Sequence, residues 1–258
     1  MSDNLKISAF IITKNEEKKI EDALKSIDFI DEIVVVDDYS DDRTLNICKK
    51  FGVKIFQNKF TGFKDQKSFA MSLTSNDWVL ELDADERVSD ELKNFLKNLK
   101  TEDVSGYDGF LFKRKTYFWG KWLRYGGSYP DYKLRLYNKK KGKWSEGNIH
   151  ERFIVAGKTL KIPHDILHYQ DADLNTLLQR TIRYSRMSAY DAFSQGKVAK
   201  WHHYTVRPLY TFFYRYFFRL GFLDGIQGFA ISIIGAIGTF TKYMFLKELE
   251  RGKETLLN

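Results

Sequence analysis

The chain has one cysteine, Cys48, among 258 residues. That excludes an intramolecular disulfide framework and a cysteine-rich zinc site, and it suits a reducing compartment. Cys48 falls in a helical stretch and is expected to serve as a small buried hydrophobe. Proline is also scarce, with three in the chain, and no internal repeat or low-complexity linker divides the sequence. Neither G-x-x-x-x-G-K-[ST] nor G-x-G-x-x-G occurs, so a bound nucleotide would not be held by a P-loop or a dinucleotide fingerprint. The uncharged run from Gly225 to Thr241 stops at 17 residues and includes Gln227 and four glycines, short of the about 20 apolar residues of a spanning helix. The start, Met-Ser-Asp-Asn, carries no basic-then-apolar leader, and the catalytic part is expected to stay in the cytoplasm.

What is present is a hydrophobic fraction of 43%, enough for a sizeable core, and a net charge of +8 with a pI near 9.2. The positive balance favours anionic partners: nucleic acid, lipid headgroups or a phosphorylated substrate. Charge alone does not choose among them.

Strand-like and helix-like runs alternate through the first hundred residues. The patterning predicts strands at 7–12, 32–37, 53–57 and 78–82, with helices at 15–27, 41–51, 64–74 and 89–99. Such alternation predicts an α/β fold with a mostly parallel, Rossmann-like sheet flanked by helices. Beyond about residue 105 the regularity is lost. Residues 113–143 hold eleven Lys or Arg against one acid, Asp131, interleaved with aromatics such as Trp119, Trp122 and Tyr132, a composition suited to lining something anionic. A helix is predicted from Leu174 to Gln195, closed by Gly196. Residues 201–223 then combine Arg207, Arg215 and Arg219 with ten aromatics and no acid. With the uncharged run that follows, this segment reads as an in-plane or re-entrant membrane anchor.

Two acidic clusters carry the chemistry. Asp37-Asp38 follows the apolar run Ile33-Val34-Val35-Val36, and Asp83-Ala84-Asp85 follows Trp78-Val79-Leu80-Glu81-Leu82. In an open α/β sheet, ligands bind outside the carboxyl ends of the strands, so both clusters point at one crevice. On an extended or turning backbone, residues i and i+2 point the same way, so Asp83 and Asp85 are expected to approach one hard cation, Mg²⁺ or Mn²⁺.

The motifs then become specific. Ile11-Ile12-Thr13-Lys14-Asn15-Glu16-Glu17, Val35-Val36-Asp37-Asp38-Tyr39-Ser40-Asp41-Asp42 and Asp77 through Arg87 resemble, in order and spacing, those of the family 2 inverting glycosyltransferases of the A-type fold. Tyr129-Pro130-Asp131-Tyr132-Lys133-Leu134-Arg135-Leu136 and Asn148-Ile149-His150-Glu151 are similar to the branch that builds lipopolysaccharide core, the β-1,4-glucosyltransferase-like enzymes. The resemblance implies a nucleotide-sugar donor, a UDP-sugar, bound by Thr13, Asn15, Glu16, Asp37, Asp38, Lys67 and Asp83. It implies a metal held by Asp83 and Asp85, with His168 as a further ligand, and Glu151 as the catalytic base. Arg135, His150, Arg180, Arg183 and Tyr184 would then face the acceptor or the diphosphate, although Tyr184 stands where the family often has Trp. The implied acceptor is a lipid-linked glycan at the inner leaflet of the cytoplasmic membrane, with no nucleic acid involved.

The expected organisation is a catalytic domain over 1–200, divided into a nucleotide-binding half (1–104) and an acceptor-binding half (105–200), followed by a helical membrane-associating segment over 201–258. Transfer within capsule or undecaprenyl-linked repeat-unit assembly stays open. So do two other classes, a nucleotidyltransferase, whose basic Gly-rich loop near the N-terminus is lacking here, and an RNA-binding protein, which would leave the acidic clusters unexplained.

Overall fold

The computed structural model describes residues 4–145, 152–170 and 173–257, with side chains described to residue 252. In chain order the strands and helices are β1 (Ile7–Thr13), α1 (Ile20–Ser26), β2 (Glu32–Asp37), α2 (Thr44–Lys50), β3 (Lys54–Gln57), α3 (Phe63–Ser72), β4 (Trp78–Glu81), β5 (Glu86–Val88), α4 (Asp90–Lys97), β6 (Gly109–Phe118), β7 (Lys121–Trp122), β8 (Asp131–Asn138), β9 (Gly142–Trp144), β10 (Phe153–Val155), β11 (Thr159–Gln170), α5 (Leu174–Ser194), α6 (Trp201–Tyr204), α7 (Val206–Phe213) and α8 (Ile226–Leu257). Two compact units result, one of residues 4–115, 131–145 and 152–169, the other of residues 116–130, 170 and 173–257.

In the first unit the strand order is β3-β2-β1-β4-β8-β6-β11-β5. The first four strands pair in parallel, as the alternating pattern requires, because each connection is a helical crossover. The expected α/β fold is borne out. From β4 onward the pairing is antiparallel, β4 with β8, β8 with β6 and β11 with β5. The two-residue period of the strands sorts the core into two layers. Ile7, Ala9, Ile11, Val35 and Leu80 face α1 and α4, whereas Phe10, Val34, Val36 and Val79 face Ala70 of α3 and Phe153 of β10. Full burial of each of the Val, Leu, Ile and Phe side chains stabilises by about 1.5 to 3 kcal/mol. Cys48 is buried on α2, and burial pushes its thiol up to about 11.

Helix α1 begins five residues later than the sequence predicts. Asn15 adopts a left-handed conformation at φ 53°. The amides of Glu16 and Glu17 donate to Thr44 Oγ1 (2.9 Å) and Asp42 Oδ2 (3.1 Å) on the neighbouring loop. A right-handed helix cannot start at a residue held left-handed, and Asn15 is fixed there by its bonds to Ser40 and Asp41.

The amino ends of the parallel strands are tied by one carboxylate. Glu32, at the start of β2, accepts from Lys54 Nζ at 2.5 Å, from the Ser75 amide at 2.6 Å and its hydroxyl at 2.7 Å, and from the Ser8 hydroxyl. It thereby joins β1, β2, β3 and the approach to β4. Burial opposes its ionisation, yet these donors outweigh it and hold the Glu32 carboxyl at about 2 instead of 4.5.

Much of the basic stretch 113–143 is internally paired, contrary to its reading as a lining for an anion. Arg114 and Lys133 bond Asp131, Lys140 bonds Asp77, and Lys141 bonds Asp108. Lys139 donates to the Thr74 carbonyl and hydroxyl.

The second unit is built on helices. α5 ends as predicted: Gly196, at φ 71°, lets the Gly196 and Lys197 amides return to Phe193 and Ala192 carbonyls at 2.9 Å each. α7 continues through a π-helical turn (Tyr214–Phe218) and a 3₁₀ turn (Gly221–Asp224) into α8. Ala189, Ala192 and Ala199 pack with Leu246, and Phe118, Leu123 and Leu177 form a second small core with Ala230, Ile231 and Ile234. The expected boundary at residue 200 falls inside this unit, because α5 shares its core with α8. From Ile226 onward the uncharged run is part of a single 32-residue helix, whose stretch Ile226–Gly252 is long and apolar enough to cross a membrane by length and composition. α5, which packs along it, carries Arg180, Arg183 and Arg186, so lipid cannot surround α8 on that side.

The Glu32 arrangement generates a prediction with a defined sign. A carboxyl depressed from 4.5 to about 2 contributes stability that is full above pH 5 and lost as pH falls through 2. Glu32→Gln should therefore cost about 2 to 3 kcal/mol in urea unfolding at pH 7, with the difference from the parent protein vanishing near pH 2.

Candidate active site

Three neighbouring parallel strands, β2, β1 and β4, end side by side, and the predicted residues of the first unit gather at those ends. Thr13 closes β1 opposite Asp37 of β2. Thr13 is buried, and its Oγ1 has no hydrogen-bond partner among the described residues. A buried hydroxyl left unpaired is costly unless a ligand completes it.

The two aspartates after β2 have separate roles. Asp37 is fully buried, and its carboxylate accepts from the Ser40 amide (2.8 Å), the Ser40 hydroxyl and Gln57 Nε2 (3.3 Å). It shapes the turn and presents no free oxygen to the crevice. Asp38 accepts from Lys14 Nζ at 2.8 Å and from the Phe60 amide at 3.0 Å, and these donors hold its carboxyl below its ordinary value. Asn15 links the two loops reciprocally: its amide donates to Ser40 Oγ (2.8 Å) and its Oδ1 accepts from the Asp41 amide (3.0 Å). Tyr39, like Asn15, is left-handed, at φ 50°, and its side chain is exposed. Two such non-glycine residues at adjacent strand ends mark a loop pair whose shape is imposed by its bonds. Glu16 forms a long ion pair with Lys19, 3.8 Å.

At the end of β4 lies a buried charge cluster. Arg135 on β8 donates through Nη1 to Glu81 (2.9 Å) and through Nη2 to both Asp83 (2.8 Å) and Glu86 (2.6 Å). Lys67 on α3 reaches Glu81 at 2.6 Å and Asp83 at 3.3 Å, and the Tyr137 hydroxyl donates to Glu81 at 3.0 Å. Burial would raise the Asp83 carboxyl, but Arg135 and Lys67 drive it well below the usual range. Glu86 shifts the other way, raised by burial and by neighbouring Asp83 against the pull of Arg135. Sequence reasoning placed Arg135 toward acceptor or diphosphate and Lys67 toward the nucleotide; both spend their charge on these carboxylates. Glu81 and Glu86 were missed, although a glutamate inside the apolar run Trp78-Val79-Leu80-Glu81-Leu82 is itself a signal of a buried partner.

Asp83 and Asp85 have different protein partners. A turn closed by the Glu86 amide to the Asp83 carbonyl, 2.9 Å, separates them. Asp83 is held by two cations, whereas Asp85 Oδ2 lies 3.3 Å from His168 Nε2, brought there by antiparallel pairing of β11 with β5. Among the described residues no group of three or more His, Cys, Asp or Glu is placed to share an ion. A carboxylate and an imidazole are present as a pair. This set fits Mg²⁺ or Mn²⁺ if substrate phosphates and water complete the shell, the way such ions are commonly held.

Glu151 and His150 lie outside the described residues. Strands β9 and β10 flank that stretch and pair with each other. Phe153, two residues beyond Glu151 in sequence, stacks on Tyr137 with ring centroids 4.3 Å apart. Arg180, Arg183 and Tyr184 belong to α5 in the second unit, where all three are exposed and Arg183 lies over the Tyr184 ring at 5.5 Å.

A parallel sheet whose strand ends carry carboxylates and a hydroxyl unpaired among the described residues, with no P-loop in the sequence, suits a nucleotide approached through its base, its ribose and a divalent ion. The pattern described as glycosyl transferase family 2 matches residues 8–156. The chain is 34% identical over 256 residues to an uncharacterised glycosyltransferase of Rickettsia conorii, covering 94% of this chain and 90% of that protein. It is 26% identical over 250 residues to the lipopolysaccharide core biosynthesis glycosyltransferase LpsC of Rhizobium meliloti, covering 93% and 91%. Its fold is similar to that of glucosyl-3-phosphoglycerate synthase from Mycobacterium tuberculosis in complex with phosphoglyceric acid, with a TM-score of 0.50 at 15% identity over 75% of this chain and 81% of that one. The chain belongs to glycosyl transferase family 2. Membership decides between the classes that the sequence left open, in favour of glycosyl transfer.

The charge cluster generates the second prediction. Removing one partner of a buried ion network leaves the others uncompensated, at a cost of about 3 to 5 kcal/mol. Arg135→Met should lower the stability measured by urea unfolding at pH 7 by that amount. Arg114→Met, which breaks a half-exposed pair with Asp131, should cost about 1 kcal/mol or less.

Proposed function

We propose that this glycosyltransferase moves a sugar from a UDP-sugar to a lipid-linked glycan at the inner face of the cytoplasmic membrane, in lipopolysaccharide core assembly. The observation that carries the donor site is the convergence, at adjacent strand ends, of the orphaned Thr13 hydroxyl, Asp38 and the Asp85–His168 pair. The name of the LpsC relative supports the choice of pathway, and the exposed apolar surface of the second unit supports the lipid-linked acceptor.

In this reading Thr13 and Asp38 contact the nucleoside, with Asn15 and Asp37 holding the two loops in register and Glu16 beside them. Asp85 and His168 hold the divalent ion. When bound, that ion stabilises the negative charge that develops on the departing diphosphate. Arg135 and Lys67 neutralise Asp83 and fix the turn that presents Asp85. Glu151 takes the proton from the acceptor hydroxyl as its oxygen bonds to the anomeric carbon and the bond to the diphosphate breaks. This single displacement inverts the configuration. Connectivity favours this role for Glu151, since Phe153 is anchored on Tyr137, whose hydroxyl bonds Glu81.

Two measurements test the assignment. Asp85→Asn and His168→Gln should each abolish Mn²⁺ binding, followed by calorimetry in the presence of UDP, while leaving urea stability within about 1 kcal/mol. Unchanged Mn²⁺ affinity in both would remove the pair from the metal role. Glu151→Gln should bind donor normally yet transfer sugar about a hundredfold or more slowly; an unchanged rate would assign the base elsewhere.

A further inference from the structure

The faces of α7 and of the π-helical turn that prolongs it are reversed relative to a soluble helix. Leu209, Tyr210, Phe213, Tyr214, Phe217 and Phe218 recur at helical spacing and are all exposed, Phe218 by 78%. Between Leu209 and Phe218 the one charged residue, Arg215, points the other way, against α8. There Gly235 leaves it room: a Cβ at that position would stand 3.2 Å from Arg215 Cδ and 3.3 Å from Nη1. Arg215 Nε is buried without a hydrogen-bond partner, and Arg215 has no ion pair among the described residues; burial pushes its guanidinium below its ordinary value.

The guanidinium borders a cleft of about 420 Å³ between α5 and α8. Thr181, Ser185 and Ser188 line it with hydroxyls, Lys242 adds a second cation, and no acid lines it. A partly buried cation without an ion pair among the described residues is unfavourable, so the cleft is complementary to an anion with several acceptor oxygens.

We propose that this cleft binds the phosphate of an anionic membrane-lipid headgroup, with Arg215 as the principal donor and Lys242 as the second cation. The inference rests on the reading that the C-terminal segment lies at a membrane surface. A helix lying in the interface sinks its apolar face about 5 to 10 Å into the acyl boundary. With a diameter of about 10 to 12 Å, its opposite side then stands at the level of the headgroup phosphates. That is the side from which Arg215 projects. The cleft therefore gives an otherwise apolar attachment a preference for anionic lipid.

The test is flotation of the full chain with phosphatidylcholine vesicles, with and without phosphatidylglycerol. The protein should bind the phosphatidylglycerol vesicles more tightly. Arg215→Gln should reduce that preference about tenfold, and Arg215→Lys, which keeps the charge, should retain most of it at an unchanged melting temperature. Arg219→Gln, at an exposed arginine outside the cleft, should lose no more than about fivefold. Equal losses for Arg215→Gln and Arg219→Gln, or none for Arg215→Gln, would overturn the cleft and leave diffuse surface attraction. Failure of the parent protein to bind either vesicle would overturn the membrane reading itself. Inorganic phosphate bound in calorimetry and lost in Arg215→Gln, with vesicle binding unchanged, would assign the cleft to a soluble phosphate and overturn the headgroup.

Discussion

A buried guanidinium among three carboxylates fixes the geometry at the carboxyl end of β4. Arg135 comes from the antiparallel half of the sheet, Glu81 and Asp83 from the parallel half, Glu86 from β5, and Lys67 from the helix above. None of these charges can be left alone in so dry a place, because an unpaired buried ion is far more costly than the pair. The strands that bring them together are therefore held in one register. The turn between Asp83 and Glu86 follows from that constraint, and with it the presentation of Asp85 to His168. The cluster acts at one remove from the chemistry, by fixing the neighbours of the proposed metal ligands.

The parallel strands are treated differently at their two ends. At the amino ends Glu32 joins four chain segments through lysine, serine and backbone donors, and every partner is supplied by the protein. At the carboxyl ends a buried hydroxyl on Thr13 has no partner among the described residues, and two loops are held by left-handed residues and cross-bonds between Asn15, Ser40 and Asp41. Stability is concentrated where no ligand is needed, and the unfinished hydrogen bonding lies where a donor would complete it. The open end of a parallel sheet suits this division because the strand ends and the loops that follow them converge on one side.

The second unit follows the opposite logic from a soluble domain. Its small residues, Gly235, Gly238 and the alanines of α5, bring helices close together, and the side chains left facing outward are large and apolar. Asp224, which ends the 3₁₀ turn before α8, is fully buried and accepts from the amides of Arg124 and Tyr125 at 2.9 and 2.8 Å. Acidic charge is thus withdrawn from the surface where the aromatics are displayed, while arginines remain. That combination suits a negatively charged, partly apolar surface.

The periodicity of the first hundred residues was enough to place the parallel strands within a residue or two, because buried β-branched runs between turn signals admit few other structures. The three motifs were enough to identify the family. Periodicity could not reveal that α1 starts late, since Asn15 is held left-handed by bonds to Ser40 and Asp41, some 25 residues away in sequence. Nor could spacing divide the roles of Asp83 and Asp85. The same i, i+2 spacing serves a shared ion or two separate partners, and only the arrival of Arg135, Lys67 and His168 from distant segments gives the two carboxylates different neighbours. What the sequence by itself determined was the local alternation and the chemical inventory at the strand ends. What the tertiary structure alone decided was which charges neutralise each other, because burial makes that pairing obligatory and burial depends on the whole chain.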